Sequence, residues 1–231
     1  MAIYHLRATM ISRSAGRSAT AAAAYRSATH IEDHRTGLSF DYRARSGVDH
    51  VEILAPAHAP EWAQDRAALW NAVEAAETRK NSQVAREIRV ALPAELDHAQ
   101  RVELVRDFCQ REFVDQGMVA DIALHAPGRE GDDRNHHAHI LLTMRPIEKD
   151  GAWGAKQKKE YILDRDGNKI YNPKKRQYKC KSVPATDWNE QTKAEEWRAA
   201  WAEICNSYLE KGNHTERIDH RSYERQGIDL I

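Results

Sequence analysis

The sequence predicts an α+β domain in which a central antiparallel β-sheet is flanked by helices. Segments whose apolar residues alternate, as in half-buried strands, are interspersed with segments whose apolar residues recur at helical spacing. The alternating segments 118–125 and 136–144 are joined by a polar loop at 127–135, which favours antiparallel pairing of the two. With 231 residues, 41% of them apolar and 30% charged, the chain has the composition of a globular protein.

The N-terminal half is expected to contain three strands and two helices. Residues 2–11 alternate like a strand, and Ser18 is a good N-cap for a helix over 18–30. Two short runs, 38–43 and 50–54, are expected to pair as a hairpin. A second helix is expected near 61–79, where one stripe carries Trp62, Leu69, Val73 and Ala76.

The C-terminal half is expected to add three strands and two helices. A strand over 86–92 ends at Pro93, and the helix 97–116 that follows is expected to bury Val105, Phe108, Cys109 and Phe113. Segments 118–125 and 136–144 supply the other two strands. The last helix is expected at about 187–211, where spacings of four, three and four separate Trp197, Trp201, Ile204 and Tyr208.

Strand parity places several polar residues on one side of the predicted sheet. Side chains alternate across a sheet, so each of the last three strands has one apolar and one polar face. If these strands are neighbours, one polar face collects Glu87, His125, His137 and His139.

The three histidines form a candidate metal site. His137 and His139 point the same way from one strand, although solvated histidines are the commoner explanation of such a pair alone. His125, at matching parity on the preceding strand, adds a third ligand. Three neutral ligands leave an ion its full charge and open positions, which suits binding of a phosphodiester. His136 has the opposite parity and is not expected to join them.

Tyr25 is the candidate nucleophile. A lone tyrosine on a helix ordinarily packs in the core, but small residues surround this one: Ala21, Ala22, Ala28 and Thr29. They leave room for a substrate to approach the hydroxyl. Glu87 could orient a metal-bound histidine, help to deprotonate the tyrosine, or be an ordinary exposed carboxylate.

Charge is distributed unevenly although the formal net charge is zero. Segment 151–181 carries ten basic and three acidic residues, and we expect either a flexible, solvated loop or a basic insertion that contacts phosphates. Residues 1–31 contain no acidic residue, as a surface facing DNA requires. The expected DNA contacts are Arg7, Arg13, Arg17, Arg26, Lys156, Lys158, Lys159, Lys174, Lys175 and Arg176.

Cysteine usage and hydropathy indicate a cytoplasmic protein that is not inserted in a membrane. The three cysteines, Cys109, Cys180 and Cys205, are too few and too dispersed for a disulfide framework or a zinc motif. No apolar run approaches the ~20 residues of a membrane span. The acid-free start also has the composition of an organellar transit peptide, but its alternation favours a strand.

Four segments resemble the MobA/MobL-type (MOB-Q class) relaxases of mobilisable and conjugative plasmids, in the HUH endonuclease superfamily. The opening "MAIYHLRATMISRSAGRSATAAAAYRSA" is similar to the family's strand, loop and tyrosine helix. "RKNSQVAREIRVALPAEL" resembles its central strand, and "IALHAPGREGDDRNHHAHILLTMR" its histidine site. "IDHRSYERQGIDL" resembles the segment that closes the nuclease domain, so the resemblance covers nearly the whole chain.

The resemblance implies a function and assigns residues to it. Tyr25 matches the nucleophile, Glu87 the active-site acid, and His125, His137 and His139 the ligands of Mn²⁺ or Mg²⁺; three imidazoles favour Mn²⁺. The implied activity nicks one DNA strand at an origin of transfer through a 5′-phosphotyrosyl intermediate and later rejoins it. The implied partners are single-stranded DNA, relaxosome accessory proteins and a type IV secretion coupling protein.

Two other functions remain open from the sequence. A rolling-circle replication initiator would share the tyrosine and the histidine pair but act at a replication origin. A non-catalytic nucleic-acid-binding module with a structural metal would lack the need for an accessible tyrosine. We expect residues 1–231 to be the N-terminal nicking domain of a longer protein.

Overall fold

A computed structural model of the chain describes residues 3–128 and 132–228. The strands are β1 (Leu6–Ser12), β2 (His30–Asp33), β3 (Leu38–Asp41), β4 (Val48–Leu54), β5 (Gln83–Ala91), β6 (Ala120–His125), β7 (His137–Thr143), β8 (Gln157–Tyr161), β9 (Tyr171–Asn172), β10 (Gln177–Tyr178) and β11 (Cys180–Pro184). The helices are α1 (Ala19–Ser27), α2 (Arg66–Ala76), α3 (His98–Cys109), α4 (Lys193–Lys211) and α5 (Tyr223–Gln226).

Five strands form the central sheet in the order β1-β5-β7-β6-β4, and every neighbouring pair is antiparallel. The α+β class with a central antiparallel sheet is therefore confirmed. The three strands that carry the predicted site residues are neighbours, with β7 between β5 and β6. Their register places His125 directly opposite His137. Part of the predicted polar loop before β7, residues 129–131, lies outside the described residues.

One face of the sheet is mostly apolar and packs on α3 and α4. Its buried polar exception on β5 is Arg86, whose guanidinium lies over the Trp197 ring of α4. The central strands contribute Ile88, Ile122 and Ile140 to this face, all fully buried. Phe108 of α3 and Trp201 of α4 meet edge-to-face with ring centroids 5.0 Å apart. These apolar side chains belong to one continuous core cluster, which makes this face the structural one.

The opposite face is only half covered, and this decides where a site can form. At one end of the sheet it carries Ile11, Ala85 and Leu141, which pack beneath α1 and α2 in a second core cluster. Two residues further along β1 and β5, beyond Thr9 and Glu87, the same face is open. There Arg7 lies opposite Arg89 of β5, and Arg89 lies opposite His139 of β7. The polar half-face therefore begins where the helices end.

The predicted hairpin between 38–43 and 50–54 is wrong. β3 pairs with β2 through a tight turn in which Gly37, at φ 71°, donates its N–H to the Asp33 carbonyl. β4 instead joins the central sheet beside β6. The error followed from the length predicted for the first helix, because α1 ends at Ser27 and leaves room for β2.

Two further helices are shorter than predicted. Segment 61–79 begins with a 3₁₀ turn at Glu61–Gln64, and α2 follows with Asp65 as its N-cap, accepting a hydrogen bond from Ala68 at 2.7 Å. The last helix begins at Lys193, not near 187. Among the described residues, no helix combines the length and the apolar character needed to cross a bilayer.

Most of the basic segment forms a long β-hairpin, called the arm below and defined as residues 157–184. β8 pairs with β11 at its base, and β9 pairs with β10 further out. The arm leaves and re-enters the body at one point, because Ala185 donates its N–H to the Lys156 carbonyl at 3.0 Å. Its strands are almost entirely exposed.

Candidate active site

The three histidine rings converge on one point above the sheet. The centroid of the His125 ring lies 5.2 Å from that of His137 and 4.8 Å from that of His139. One ligand nitrogen of each ring lies within 4.8 Å of the others. Because adjoining antiparallel strands align facing residues, this convergence follows from the register of β6 and β7.

Hydrogen bonds orient the first two rings for coordination. Nε2 of His125 lies 2.7 Å from the carbonyl oxygen of Arg26, and Nδ1 of His137 lies 3.1 Å from that of Asn135. An imidazole that donates from one nitrogen presents a lone pair on the other, which is the arrangement of metal-ligating histidines. The donor set therefore fits a divalent metal ion.

The electrostatic setting favours the unprotonated form of these rings. The pKa of His125 is lowered to about 4, mainly by burial and also by the neighbouring histidines. The hydrogen bond to the Arg26 carbonyl raises this pKa but does not offset the effect of burial. Burial also lowers the pKa of His137. Neutral imidazoles are the form that binds a cation, so both rings are prepared for a ligand role at neutral pH.

Glu87 holds the third ring, that of His139, through a hydrogen bond. Its Oε1 accepts hydrogen bonds from His139 Nδ1 at 2.7 Å and from Arg26 Nε at 2.6 Å, and Thr9 Oγ1 donates to Oε2 at 3.3 Å. Burial alone would raise the pKa of Glu87, but the hydrogen bonds from His139 and Arg26 outweigh it and hold the pKa well below its usual range. The carboxylate is therefore ionised and orients His139.

Tyr25 lies in the last turn of α1, and its side chain is 46% exposed rather than packed in the core. Its ring is perpendicular to the Tyr42 ring, and the two ring centroids are 5.2 Å apart. The next residue, Arg26, supplies the carbonyl that holds His125. The sequence neighbourhood of the tyrosine is therefore tied directly to the histidine cluster, while the ring stays accessible.

Three of the predicted DNA contacts are engaged inside the protein. Arg26 is buried and pairs with Glu87 at 2.5 Å. Arg13 pairs with buried Glu74 at 2.6 Å, and Lys156 with Glu77 at 2.8 Å. Each of these three carboxylates is far in the sequence from the cation that it neutralises, so the local sequence around the cations gave no sign of the ion pairs. The other predicted contacts are exposed: Arg7, Arg17, Lys158, Lys159, Lys174, Lys175 and Arg176.

A sequence profile described as the MobA/MobL family matches residues 17–231. This chain belongs to the MobA/MobL family. A similar relative is the probable mobilization protein MobA of Bifidobacterium longum (strain NCC 2705), 38% identical over 244 residues that cover 100% of this chain and 42% of that protein. The mobilization protein MobL of Acidithiobacillus ferridurans is 38% identical over 251 residues, covering 99% and 60%.

Other MobA/MobL relatives are longer still. The probable conjugal transfer protein TraA of Sinorhizobium fredii (strain NBRC 101917 / NGR234) is 38% identical over 242 residues, which are 100% of this chain and 21% of that protein. The present chain thus spans between 21% and 60% of the length of these three curated relatives.

Solved structures share the fold. One, reported under "Molecular Basis of Vancomycin Resistance Transfer in Staphylococcus aureus", superposes with a TM-score of 0.80 at 35% identity, covering 96% of this chain and 100% of that one. The metal-bound conjugative relaxase TrwC in complex with oriT DNA superposes with a TM-score of 0.51 at 13% identity, covering 90% and 70%. This member of the MobA/MobL family therefore shares the fold of these solved structures, TrwC among them.

Two arginines beside the candidate site escaped the sequence prediction. Arg89 is exposed and lies opposite Arg7 and His139 in the sheet. Its parity with Glu87 was the signal that could have found it. Arg45 lies in a loop and stacks on Tyr25. Loops have no periodicity from which such a contact can be inferred.

Proposed function

We propose that this chain is the nicking domain of a relaxase that cuts one DNA strand at a plasmid origin of transfer. The observation that carries the proposal is the convergence of three histidine rings beside an exposed tyrosine. Relatives named for mobilization and conjugal transfer support a transfer origin over a replication origin. An accessible tyrosine supports an enzyme over a module with a purely structural metal.

His125, His137 and His139 would hold the divalent ion. Imidazole is a softer donor than the oxygen ligands of Mg²⁺, which favours Mn²⁺. When bound there, the ion would polarise the scissile phosphate and stabilise the charge that develops on its oxygens. Glu87 acts through His139 by keeping that ring in the coordinating orientation.

Tyr25 is the proposed nucleophile. Its Oη attacks phosphorus, the bond from phosphorus to the 3′ oxygen breaks, and the 5′ phosphate remains on the tyrosine. The phenolic proton passes to water at the exposed side chain, and the leaving 3′ oxygen takes up a proton to become a hydroxyl. Because one phosphodiester is exchanged for another, the reaction can run backwards and rejoin the strand.

Single-stranded DNA is the proposed substrate, bound across the open half-face and the arm. Lys158, Lys159, Lys174, Lys175 and Arg176 of the arm are exposed and can neutralise phosphates, whereas Lys181 pairs with Glu160 at 3.3 Å. Relaxosome accessory proteins and a type IV secretion coupling protein are the proposed protein partners.

The test uses overlapping single-stranded oligonucleotides tiled across the DNA that flanks this protein's own gene, with Mn²⁺ added. The wild-type protein should form a covalent protein–DNA band that survives denaturation, and a chelator should abolish it. Tyr25→Phe should bind the same oligonucleotide but give no band. Tyr42→Phe, which changes the neighbouring ring, is the matched control and should keep the band. A covalent band in Tyr25→Phe would remove Tyr25 from the role.

A further inference from the structure

The loop between β3 and β4, residues 42–47, is attached at both ends to the site. At one end Tyr42 donates its N–H to the Thr29 carbonyl, just after α1, at 3.1 Å. At the other end Ala126, the residue after His125, donates its N–H to the Gly47 carbonyl at 2.9 Å. The loop therefore bridges the end of the tyrosine helix and the end of β6.

Arg45 reaches from this loop onto Tyr25. Its Cζ lies 3.8 Å from the centroid of the Tyr25 ring, at the distance of a cation–π contact. Its Nη1 also donates to the Tyr25 carbonyl oxygen at 2.9 Å. The ring of Tyr42 lies perpendicular to the same ring, so the phenol contacts the side chains of both Arg45 and Tyr42.

In the described parts of the chain, no carboxylate lies within ion-pair distance of the Arg45 guanidinium. Arg26 and Arg43, by contrast, pair with Glu87 and Asp41. The field of Arg45 extends to the histidine cluster, where it adds to the larger effect of burial in lowering the pKa of His125.

We propose that Arg45 is a positioning residue that holds the ring of Tyr25 in the orientation from which its hydroxyl attacks phosphorus. This inference rests on the proposed function of Tyr25. A planar guanidinium that stacks on the ring and is tied to the same residue's backbone restricts rotation of the phenol. Nucleophilic attack needs the reacting atoms about 3–3.5 Å apart, so a ring free to swing would reach that geometry less often.

The decisive experiment separates cleavage from binding. Arg45→Met keeps a long, unbranched side chain but removes both the positive charge and the planar guanidinium group. Arg45→Lys keeps the charge but removes the planar group. At saturating oligonucleotide and Mn²⁺, the single-turnover rate of covalent band formation should fall about 10- to 100-fold in Arg45→Met, and less in Arg45→Lys. The affinity for the uncut oligonucleotide, measured with Tyr25→Phe added to each variant, should change less than about threefold.

Arg43→Met is the matched control, because Arg43 lies in the same loop, is exposed and contacts Asp41 rather than Tyr25. It should cleave at the wild-type rate. Added guanidinium ion should partly restore cleavage in Arg45→Ala, which a loss of folding would not allow.

Two results would overturn the inference. The first is cleavage by Arg45→Met within about twofold of the wild-type rate. The second is a loss of cleavage matched by an equal loss of DNA affinity, which would make Arg45 a DNA contact only. Either result leaves the proposed function intact as long as wild type forms the covalent band and Tyr25→Phe does not. If wild type forms no band, it is the proposed function that fails.

Discussion

Glu87 shows at the scale of one residue why a buried carboxylate belongs in this site. It joins α1 to β5 and β7 by accepting hydrogen bonds from Arg26 and His139. Burying such a pair costs desolvation energy that its attraction need not repay. What the pair provides is orientation, because the same carboxylate fixes the His139 ring.

Glu87→Gln should therefore damage both stability and metal binding. An amide cannot neutralise Arg26, and leaving a buried charge unpaired costs about 3 kcal/mol of unfolding free energy. Loss of the charged acceptor behind His139 should weaken Mn²⁺ binding about 10- to 100-fold. Urea denaturation and calorimetric titration with Mn²⁺ measure the two effects.

A second variant separates the two roles of this carboxylate. Combining Glu87→Gln with Arg26→Met removes the unpaired cation, so much of the lost stability should return. The Mn²⁺ affinity should stay low, because His139 still lacks its carboxylate. Equal recovery of both quantities would show that Glu87 acts on the metal site only through the stability of the fold.

At the scale of the elements, the arm is a separate module joined to the body at one point. Its ends meet at Lys156 and Ala185, and Lys156 is held by Glu77 and by the Gln83 carbonyl. Three tyrosines pack against one another along the hairpin: Tyr161, Tyr171 and Tyr178. Because the arm contributes no residue to either core cluster, its removal should leave the body intact.

Replacing residues 157–184 by a short glycine–serine linker should weaken DNA binding without abolishing chemistry. Each lost phosphate contact should reduce the slope of log K against log salt by about 0.7 for a single strand. The unfolding free energy should change little, and cleavage at saturating oligonucleotide should stay near the wild-type rate. An unchanged salt slope, measured by fluorescence anisotropy, would mean that the exposed lysines of the arm do not contact phosphates.

At the scale of the whole molecule, the candidate metal site connects elements that are far apart in the chain. The candidate ligands come from β6 and β7, and their hydrogen-bond partners lie on α1 and β5. An ion bound by all three rings would therefore connect β6 and β7 directly, and α1 and β5 through their hydrogen bonds to the rings. These four elements separate when the chain unfolds. A ligand that binds only the folded state stabilises it by mass action.

Mn²⁺ at 100 times its dissociation constant should stabilise the domain by about 2.7 kcal/mol. For a domain of this size that corresponds to a rise in Tm of about 5–10 °C. His139→Ala should remove most of the rise, whereas His136→Ala, which changes a histidine outside the cluster, should keep it. Differential scanning calorimetry of chelated and Mn²⁺-loaded protein measures the effect. An equal rise in His139→Ala would place the stabilising ion elsewhere.

The sequence by itself determined which side chains share a face. A strand repeats every two residues whatever its neighbours are, so Glu87, His137 and His139 could be placed from parity alone. Ser18 was likewise readable as the cap of α1, where it accepts from the Ala21 N–H. These are local properties of the backbone, and the structure has them as predicted.

Only the tertiary structure decided which groups are neutralised and which are left free. Arg26 and Arg45 look alike in the sequence, but Arg26 is paired with a carboxylate 61 residues away and Arg45 is stacked on Tyr25. β4 joined β6, not the β3 strand nearest to it in the chain. Such partners are selected by the topology of the whole sheet, and no local periodicity records them.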